Sequence, residues 1–263
     1  MQIAGATVLL TGASGGIGQA VARAVAERGG QLILTGRRTE ALEPLAQELG
    51  GRALAADLAD RAAVDRLVAE AGSVDILIAN AGLPAVGALD SFSVEEIDRA
   101  LDVNLRAPIV LTHALAPAMV ERHKGHIVFM SSLNGKVSTP LTSLYNATKF
   151  GMRGFASAIR EDLRADGVGV STIFPGFIRD AGMFVAAEAK LPPGVGTRSP
   201  EDVARATVKA IESNRAETDV APLTVRLGTT FASLAPEAAS HVSRKMGAHK
   251  VAGEMAAGNA DKR

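Results

Sequence analysis

The chain has 263 residues, of which 47% are hydrophobic and 21% charged, and its 28 Lys and Arg side chains balance its 28 Asp and Glu side chains. Zero net charge argues against a nucleic-acid partner and against a polybasic membrane patch, because both depend on surplus positive charge. The lack of cysteine excludes disulfides, thiolate metal sites and a cysteine nucleophile. No window holds the run of about 18 apolar residues that a membrane span needs, and residues 1–6 lack the features of a signal peptide. We therefore expect a cytoplasmic protein without a membrane span.

A short apolar run at 7–11 leads into a glycine-rich turn, and residues 19–28 follow with helical periodicity. Glycines let the backbone approach a pyrophosphate, and the next helix offers free N–H groups and a positive dipole end. Strand, glycine turn and helix in this order predict a dinucleotide phosphate site, although such turns also occur in α/β proteins without a nucleotide. The residues predicted to bind the cofactor here are Gly12, Ser14, Gly15, Gly16, Ile17 and Gly18.

The second predicted strand, 31–35, is followed by Gly36, Arg37 and Arg38. An NAD site usually has an acidic side chain at this point for the ribose hydroxyls. An acid would repel a 2′-phosphate, whereas guanidinium groups bind phosphate through charge-assisted hydrogen bonds. We therefore predict NADP(H) as the preferred cofactor, with NAD(H) as the alternative if the two arginines belong only to a solvated loop.

Two further strands are predicted to end beside the cofactor. The strand at 52–56 is followed by Asp57 and Leu58, and Asp57 either accepts a hydrogen bond from an adenine amino group or only terminates the strand. The strand at 74–79 ends in the small residues Asn80, Ala81 and Gly82. Small residues at the carboxyl edge of a central parallel strand leave room for a ligand.

A capping box that opens at Ser93 predicts a helix that runs through Leu105. Pro108 limits how that helix can continue, so a separate helix is predicted over 109–122. Asn104 then lies near a helix end, where an asparagine is more often a cap than a catalytic residue.

The strand at 125–130 leads to Ser132, and the helix that follows carries Tyr145, the only tyrosine, and Lys149. Residues four apart lie on one helix face, so the ammonium is one turn from the phenol. A positive charge favours the phenolate, and we therefore predict that Lys149 lowers the pKa of Tyr145 from its usual value of about 10, as acid/base chemistry requires. Taken alone, such a pair is more often an ordinary helix-surface pair.

A strand at 168–174 precedes Pro175 and Gly176, which together with Ile178 are predicted to contact the cofactor. The segment 177–198 is interrupted by Gly and Pro and is too long for a plain connection, which indicates a substrate-binding loop. A serine and a proline at 199–200 then restart a helix.

From 223 to 263 the chain forms a C-terminal amphipathic extension, which we expect to cover the pocket or to pair with another subunit. Its small and polar end beyond Gly247 is expected to fray. Strands and helices alternate without a linker or repeat, so the sequence predicts one doubly wound, Rossmann-type α/β domain over 1–263, with a central parallel sheet of about seven strands and helices on both faces. The histidines lack metal-site spacing, and no nucleophile elbow of a hydrolase is present.

Taken together, these segments resemble the short form of the short-chain dehydrogenase/reductase family over roughly residues 5–215. Each motif is weak alone, but their order and spacing are highly specific. The residues that carry the resemblance are the run Thr11 to Gly18, Asn80, Ala81, Gly82, Asn104, Ser132, Tyr145, Lys149, Pro175 and Gly176.

The resemblance implies a nicotinamide cofactor, hydride transfer at a carbonyl or alcohol carbon, and a catalytic tetrad. In that tetrad Tyr145 gives its proton to the carbonyl oxygen, and Ser132 orients that oxygen. Lys149 lowers the tyrosine pKa and holds the nicotinamide ribose, and Asn104 keeps a water in a proton relay. The family also implies a homodimer or homotetramer.

The sequence departs from the family's pattern at three places, which limits what the resemblance implies about function. Ala79 replaces the first asparagine of the usual Asn-Asn-Ala-Gly, the run after Gly176 lacks the threonine that often meets the nicotinamide amide, and the C-terminus differs from that of acyl-carrier-protein reductases. The function predicted is an NADP(H)-dependent oxidoreductase for a small to medium, apolar carbonyl compound or secondary alcohol. The alternatives are a 3-oxoacyl-thioester reductase and a cofactor-binding sensor or scaffold with little turnover.

Overall fold

Seven parallel strands form one sheet in the computed structural model, which describes residues 1–187, 191, 195–245 and 248–260. The strands are β1 (Thr7–Thr11), β2 (Gln31–Gly36), β3 (Arg52–Ala55), β4 (Ile76–Ala79), β5 (Gly125–Met130), β6 (Val168–Pro175) and β7 (Glu217–Val220). Their order across the sheet is β3-β2-β1-β4-β5-β6-β7, so the winding reverses between β1 and β4. Ligands of doubly wound sheets bind at the carboxyl edge next to such a reversal.

The helices that connect these strands cover both faces of the sheet. They are α1 (Gly16–Ala26), α2 (Thr39–Glu48), α3 (Arg61–Ala71), α4 (Val94–Leu101), α5 (Ala107–Glu121), α6 (Ser143–Asp162), α7 (Gly182–Ala186), α8 (Pro200–Glu212), α9 (Leu223–Leu234), α10 (Pro236–Lys245) and α11 (Ala248–Ala257). Helices α1, α2 and α8 enclose one buried apolar cluster, and α3, α5 and α6 enclose the other. Strands β5 and β6 are buried along their whole length, because both faces of a parallel sheet are covered. The predicted doubly wound fold is confirmed.

The helix break predicted around Leu105 is wrong. One turn of π-helix, Asp102–Arg106, joins α4 to α5, so the chain is helical from 94 to 121. Pro108 lies in the first turn of α5 and has no N–H to donate to the Asn104 carbonyl four residues earlier, which favours this wider turn. The combined helix is long and apolar enough to cross a membrane by length and composition, but half of its most apolar window is buried inside the domain, as in a core helix.

The C-terminal extension forms helices α9 to α11, and the expected fraying beyond Gly247 is wrong for residues 248–260. Ala252 and Asn259 are buried. The Asn259 amide donates to the Met183 carbonyl at 3.1 Å, which ties the end of the chain to α7. Residues 188–190 and 192–194 of the predicted substrate loop lie outside the described residues. The two ends of that loop are joined by a backbone hydrogen bond of 2.8 Å from the N–H of Arg179 to the carbonyl of Arg198.

Candidate active site

A cavity of about 1090 Å³ lies at the carboxyl edge of the sheet. All the residues predicted to contact a cofactor line it, as do three of the four predicted catalytic residues. These are Gly12, Ser14, Gly15, Gly16, Ile17, Gly18, Arg37, Arg38, Asp57, Leu58, Asn80, Ala81, Gly82, Ser132, Tyr145, Lys149, Pro175, Gly176 and Ile178. The fourth predicted catalytic residue, Asn104, is buried behind the wall.

The glycine turn after β1 forms one end of the cavity. Gly12 has a φ of +68°, and a Cβ placed there would lie 2.7 Å from the Ala81 Cα, so a side chain does not fit. At Gly15 a Cβ would meet only the Gly12 carbonyl oxygen, at 3.6 Å, which leaves the cavity side open. Gly15 is also the N-cap of α1, and no side chain in the described ranges caps that helix. The free N–H groups of the first turn therefore fit a phosphate.

The turn is held against β4 by Thr11, which the sequence analysis named as part of the glycine motif without predicting a role for its side chain. Its buried hydroxyl accepts hydrogen bonds from the N–H groups of Asn80 and Ala81, both at 3.0 Å. The Asn80 side chain donates in return to the carbonyls of Thr11, at 3.0 Å, and Gly12, at 3.2 Å. Asn80, predicted only to leave room for a ligand and to contact the cofactor, thus shapes the glycine turn with its side-chain amide. A threonine directly before the first glycine was the available signal.

At the far side of the turn, the cavity reaches the ends of β2 and β3. Arg37 and Arg38 are exposed, and neither forms an ion pair within the described ranges. The Asp57 carboxylate accepts hydrogen bonds from the Ala59 N–H, at 3.0 Å, and from Arg99, at 2.9 Å. Partial burial opposes ionisation, but these hydrogen bonds lower the pKa of Asp57. The contacts agree with a strand-terminating role, and its hydrogen bond to adenine stays a prediction.

Tyr145 and Lys149 lie in the first two turns of α6, buried to 7% and 4% exposure, and not on a solvated helix surface. The Lys149 ammonium is 5.5 Å from the centre of the Tyr145 ring and donates a hydrogen bond of 2.9 Å to the Met130 carbonyl. Ser132, at the end of β5, is hydrogen-bonded to the phenol. Its oxygen also lies 3.4 Å from the Pro175 carbonyl. Two strand ends and one helix thus bring these side chains together.

The predicted lowering of the tyrosine pKa is wrong for the ligand-free protein. Burial raises the pKa of Tyr145 to about 12, and the hydrogen bond from Ser132 offsets only part of that effect. Burial also lowers the pKa of Lys149 to about 8. Surroundings of low polarity disfavour the charged form of both groups. The prediction considered the attraction between the two charges but not this loss of solvation.

Asn104 is almost fully buried within the π-helical turn. Its side chain accepts a hydrogen bond of 2.6 Å from the Leu83 N–H and donates one of 3.0 Å to the Leu83 carbonyl. A Cβ placed on Gly82 would lie 3.5 Å from the Asn104 side-chain oxygen and 3.6 Å from the Lys149 ammonium. Asn104 and Lys149 therefore flank Gly82, and the asparagine is not a helix cap.

A second residue whose role the sequence reasoning missed is Asn146. Its side-chain amide donates to the carbonyls of Asn134, at 2.9 Å, and Val137, at 2.8 Å. Its oxygen accepts from the Asn134 amide at 3.1 Å and from the Thr142 hydroxyl. These bonds attach the segment that follows Ser132 to the first turn of α6. An asparagine inside the first turn, where it is a poor helix former, was the available signal.

The opposite end of the cavity extends beneath the C-terminal helices. Met183 of α7 and Met255 of α11 pack against the buried cluster that contains Tyr145. Phe177, Phe184 and Leu191 also line this part. Helices α9 to α11 complete the wall of the cavity here.

Known proteins resemble this chain along most of its length. Residues 6–191 match the family model for short chain dehydrogenase. Ketoacyl reductase HetN of a Nostoc species is 36% identical over 224 residues, which cover 82% of this chain and 78% of that protein. Dehydrogenase/reductase SDR family member 7B of Xenopus laevis is 33% identical over 254 residues, which cover 88% and 78%.

Solved structures also resemble this chain along most of its length. A short-chain dehydrogenase from Sphingobium yanoikuyae in complex with NADPH has a TM-score of 0.77 at 28% identity, covering 90% of this chain and 95% of that one. A metagenomic short-chain oxidoreductase in complex with NADP has a TM-score of 0.69 at 32% identity, covering 84% and 99%. With the family match over residues 6–191, the fold and these relatives establish that the chain belongs to the short-chain dehydrogenase/reductase family of oxidoreductases.

Proposed function

We propose that the protein is an NADP(H)-dependent oxidoreductase that transfers hydride between the nicotinamide and a carbonyl compound or secondary alcohol of small to medium size and apolar character. One observation carries the proposal. Tyr145, Lys149 and Ser132 meet at the wall of a cavity whose other end is a side-chain-free glycine turn at a helix N-terminus. A nicotinamide dinucleotide needs both features in a single cavity.

The residues present fit such a cofactor. The N–H groups at the start of α1 would hold the pyrophosphate, since Gly12 and Gly15 leave the approach open. Arg37 and Arg38 at the cavity wall would bind a 2′-phosphate, and in the described part of the chain no carboxylate pairs with either guanidinium. The two solved structures described above, one in complex with NADPH and one with NADP, support the same assignment.

When bound, the reduced cofactor supplies the hydride. As the substrate oxygen gains negative charge, Tyr145 donates its phenolic proton to that oxygen and Ser132 hydrogen-bonds to it. A phenol with a pKa of about 12 is fully protonated at neutral pH, as a proton donor must be. Lys149, with a pKa of about 8, is mostly charged there and stabilises the phenolate that remains. Pro108 has no N–H to donate to the backbone carbonyl of Asn104. That carbonyl would hold a water molecule that returns a proton to Lys149 and Tyr145.

A 3-oxoacyl-thioester reductase is the second candidate function. It is supported by the relative that is named a ketoacyl reductase, which is 36% identical to this chain over 224 residues. The same Tyr145 chemistry serves a 3-oxo group, so the two candidates differ only in the group that the cavity accepts.

Cofactor titrations followed by a substrate panel test the proposal. The fluorescence of reduced nicotinamide gives the Kd of NADPH and of NADH. Hydrogen bonds to a charged group contribute about 1.5–3 kcal/mol, so we expect NADPH to bind about ten to one hundred times more tightly, and the double variant Arg37→Gln/Arg38→Gln to remove that preference. Tighter binding of NADH would contradict the cofactor assignment.

The panel then contains apolar ketones, aldehydes, quinones and a 3-oxoacyl thioester, with Tyr145→Phe as the matched control. We expect NADPH oxidation with at least one apolar carbonyl compound and its loss in Tyr145→Phe. Reduction of the thioester alone would favour the second candidate. Tight NADPH binding with background turnover on every compound would instead support a sensor.

A further inference from the structure

The three C-terminal helices each present one stripe of residues to the cavity. Residues at spacings of three and four along a helix share a face, and the cavity-lining residues follow that spacing. On α9 they include Val225, Gly228, Thr229 and Ala232, on α10 Pro236, Ser240 and Arg244, and on α11 Ala248, Val251, Ala252 and Met255. The stripes are small or apolar along their length, with one charged exception, Arg244.

Arg244 is exposed at the cavity wall, and in the described part of the chain it forms no ion pair. His249, at the start of α11, lines the same region and is exposed as well. Among the described residues that line the cavity, Asp57 is the only carboxylate, and it lies at the β3 end, bound to Arg99. The cavity beneath the C-terminal helices thus combines an apolar wall with one arginine, Arg244, that has no ion-pair partner among the described residues.

Helix α11 lines the cavity and also reaches the buried cluster that contains Tyr145. Met255 packs against the cluster that contains Tyr145, and His249 lies six residues earlier. Six residues of α-helix span about 9 Å. The α11 wall of the cavity therefore extends about 9 Å from His249 to Met255, which is long enough to lie along an apolar chain.

We propose that the substrate is an amphiphile with its carbonyl or alcohol group at one end of an apolar chain and an anionic carboxylate or phosphate at the other, and that Arg244 binds the anionic end. The inference rests on the proposed function and specifies its substrate class. Arg244 is a specificity-determining residue in this scheme, because a guanidinium pairs with either anion through charge-assisted hydrogen bonds.

Turnover of two matched aldehydes tests this assignment. Decanal is neutral, and the same chain with a carboxylate at its far end is anionic. We expect wild type to prefer the anionic aldehyde in kcat/KM, and Arg244→Met to raise KM for it about fivefold to tenfold with an unchanged kcat and unchanged kinetics on decanal. Arg226→Met is the matched control, since Arg226 is an exposed arginine of α9 that does not line the cavity.

Isothermal titration calorimetry in the absence of cofactor measures the binding of substrate-like ligands and does not depend on turnover. We expect decanoate and decyl phosphate to bind wild type more tightly than decanol, and Arg244→Met to remove this difference for whichever anion is the better ligand. Equal binding of all three ligands, or an Arg244→Met variant indistinguishable from Arg226→Met, would overturn the inference. A loss of NADPH affinity in Arg244→Met would also overturn it, since the arginine would then serve the cofactor. Failure of both aldehydes to oxidise NADPH, with the binding difference intact, would count against the proposed function alone.

Discussion

Tyr145 is the only tyrosine and the chain has no tryptophan, so the near-ultraviolet absorbance of an ionising phenol reports this side chain alone. Burial raises its pKa from 10.0 to about 12, and the hydrogen bond from Ser132 acts in the opposite direction. A shift of two pKa units corresponds to a preference of about 2.7 kcal/mol for the neutral phenol. We expect the folded, ligand-free protein to titrate near 12 and Ser132→Ala to titrate higher.

Stopped-flow pH jumps allow the absorbance to be recorded before the protein unfolds in alkali. The control is the urea-unfolded chain, in which the phenol titrates near its free value of about 10. Lys149, with a pKa of about 8, has lost its charge before the phenol ionises, so Lys149→Met leaves the midpoint unchanged. A wild-type titration midpoint at or below the free value, or a clear rise of the midpoint in Lys149→Met, would refute the view that burial determines the pKa of Tyr145.

Four further predictions concern stability and are measured by urea unfolding. Because the folded pKa of Lys149 is lowered from 10.5 to about 8, stability rises between those pH values by up to about 3.4 kcal/mol, and Lys149→Met removes the rise. The raised pKa of Tyr145 makes stability fall between about pH 10 and 12, and Tyr145→Phe removes that fall. Gly12→Ala costs about 1–3 kcal/mol because its φ is +68° and its Cβ would meet backbone. Asn146→Ala costs about 2–4 kcal/mol because two part-buried carbonyls lose their donor.

Local sequence patterns were sufficient to predict most of the strands and helix starts. The apolar runs that became β1, β5 and β6 are buried on both sides of the sheet, which is why they lack polar alternation. The capping box predicted at Ser93 and the serine and proline predicted at 199–200 both begin helices as expected. The predicted site residues lie together because the carboxyl ends of parallel strands meet at one edge, so a residue's position after its strand already indicates its neighbours.

The features that were predicted wrongly depend on distant parts of the chain. Residues 248–260 are small and polar, yet α11 is held in place by Met255 and Ala256, which pack against the cluster that contains Tyr145. The Asn259 amide also donates a hydrogen bond to the Met183 carbonyl, 76 residues away in sequence. Pro108 was expected to end a helix, but it occupies a first turn, where its missing N–H is tolerated, and the π-helical turn before it keeps the helix continuous. Neither outcome follows from a local pattern.

Under the proposed function, the pKa shifts of Tyr145 and Lys149 indicate when the lysine would act on the phenol. At neutral pH the ammonium is mostly charged and lies 5.5 Å from the ring centre, but a neutral phenol gives it little to attract. The attraction becomes strong only as the phenol gives up its proton, and an interaction that is stronger in the transition state than in the ground state accelerates a reaction. Lys149→Met should therefore lower kcat at neutral pH while the alkaline titration of Tyr145 stays in place. If kcat were unchanged and only KM rose, Lys149 would hold the cofactor without assisting the proton transfer.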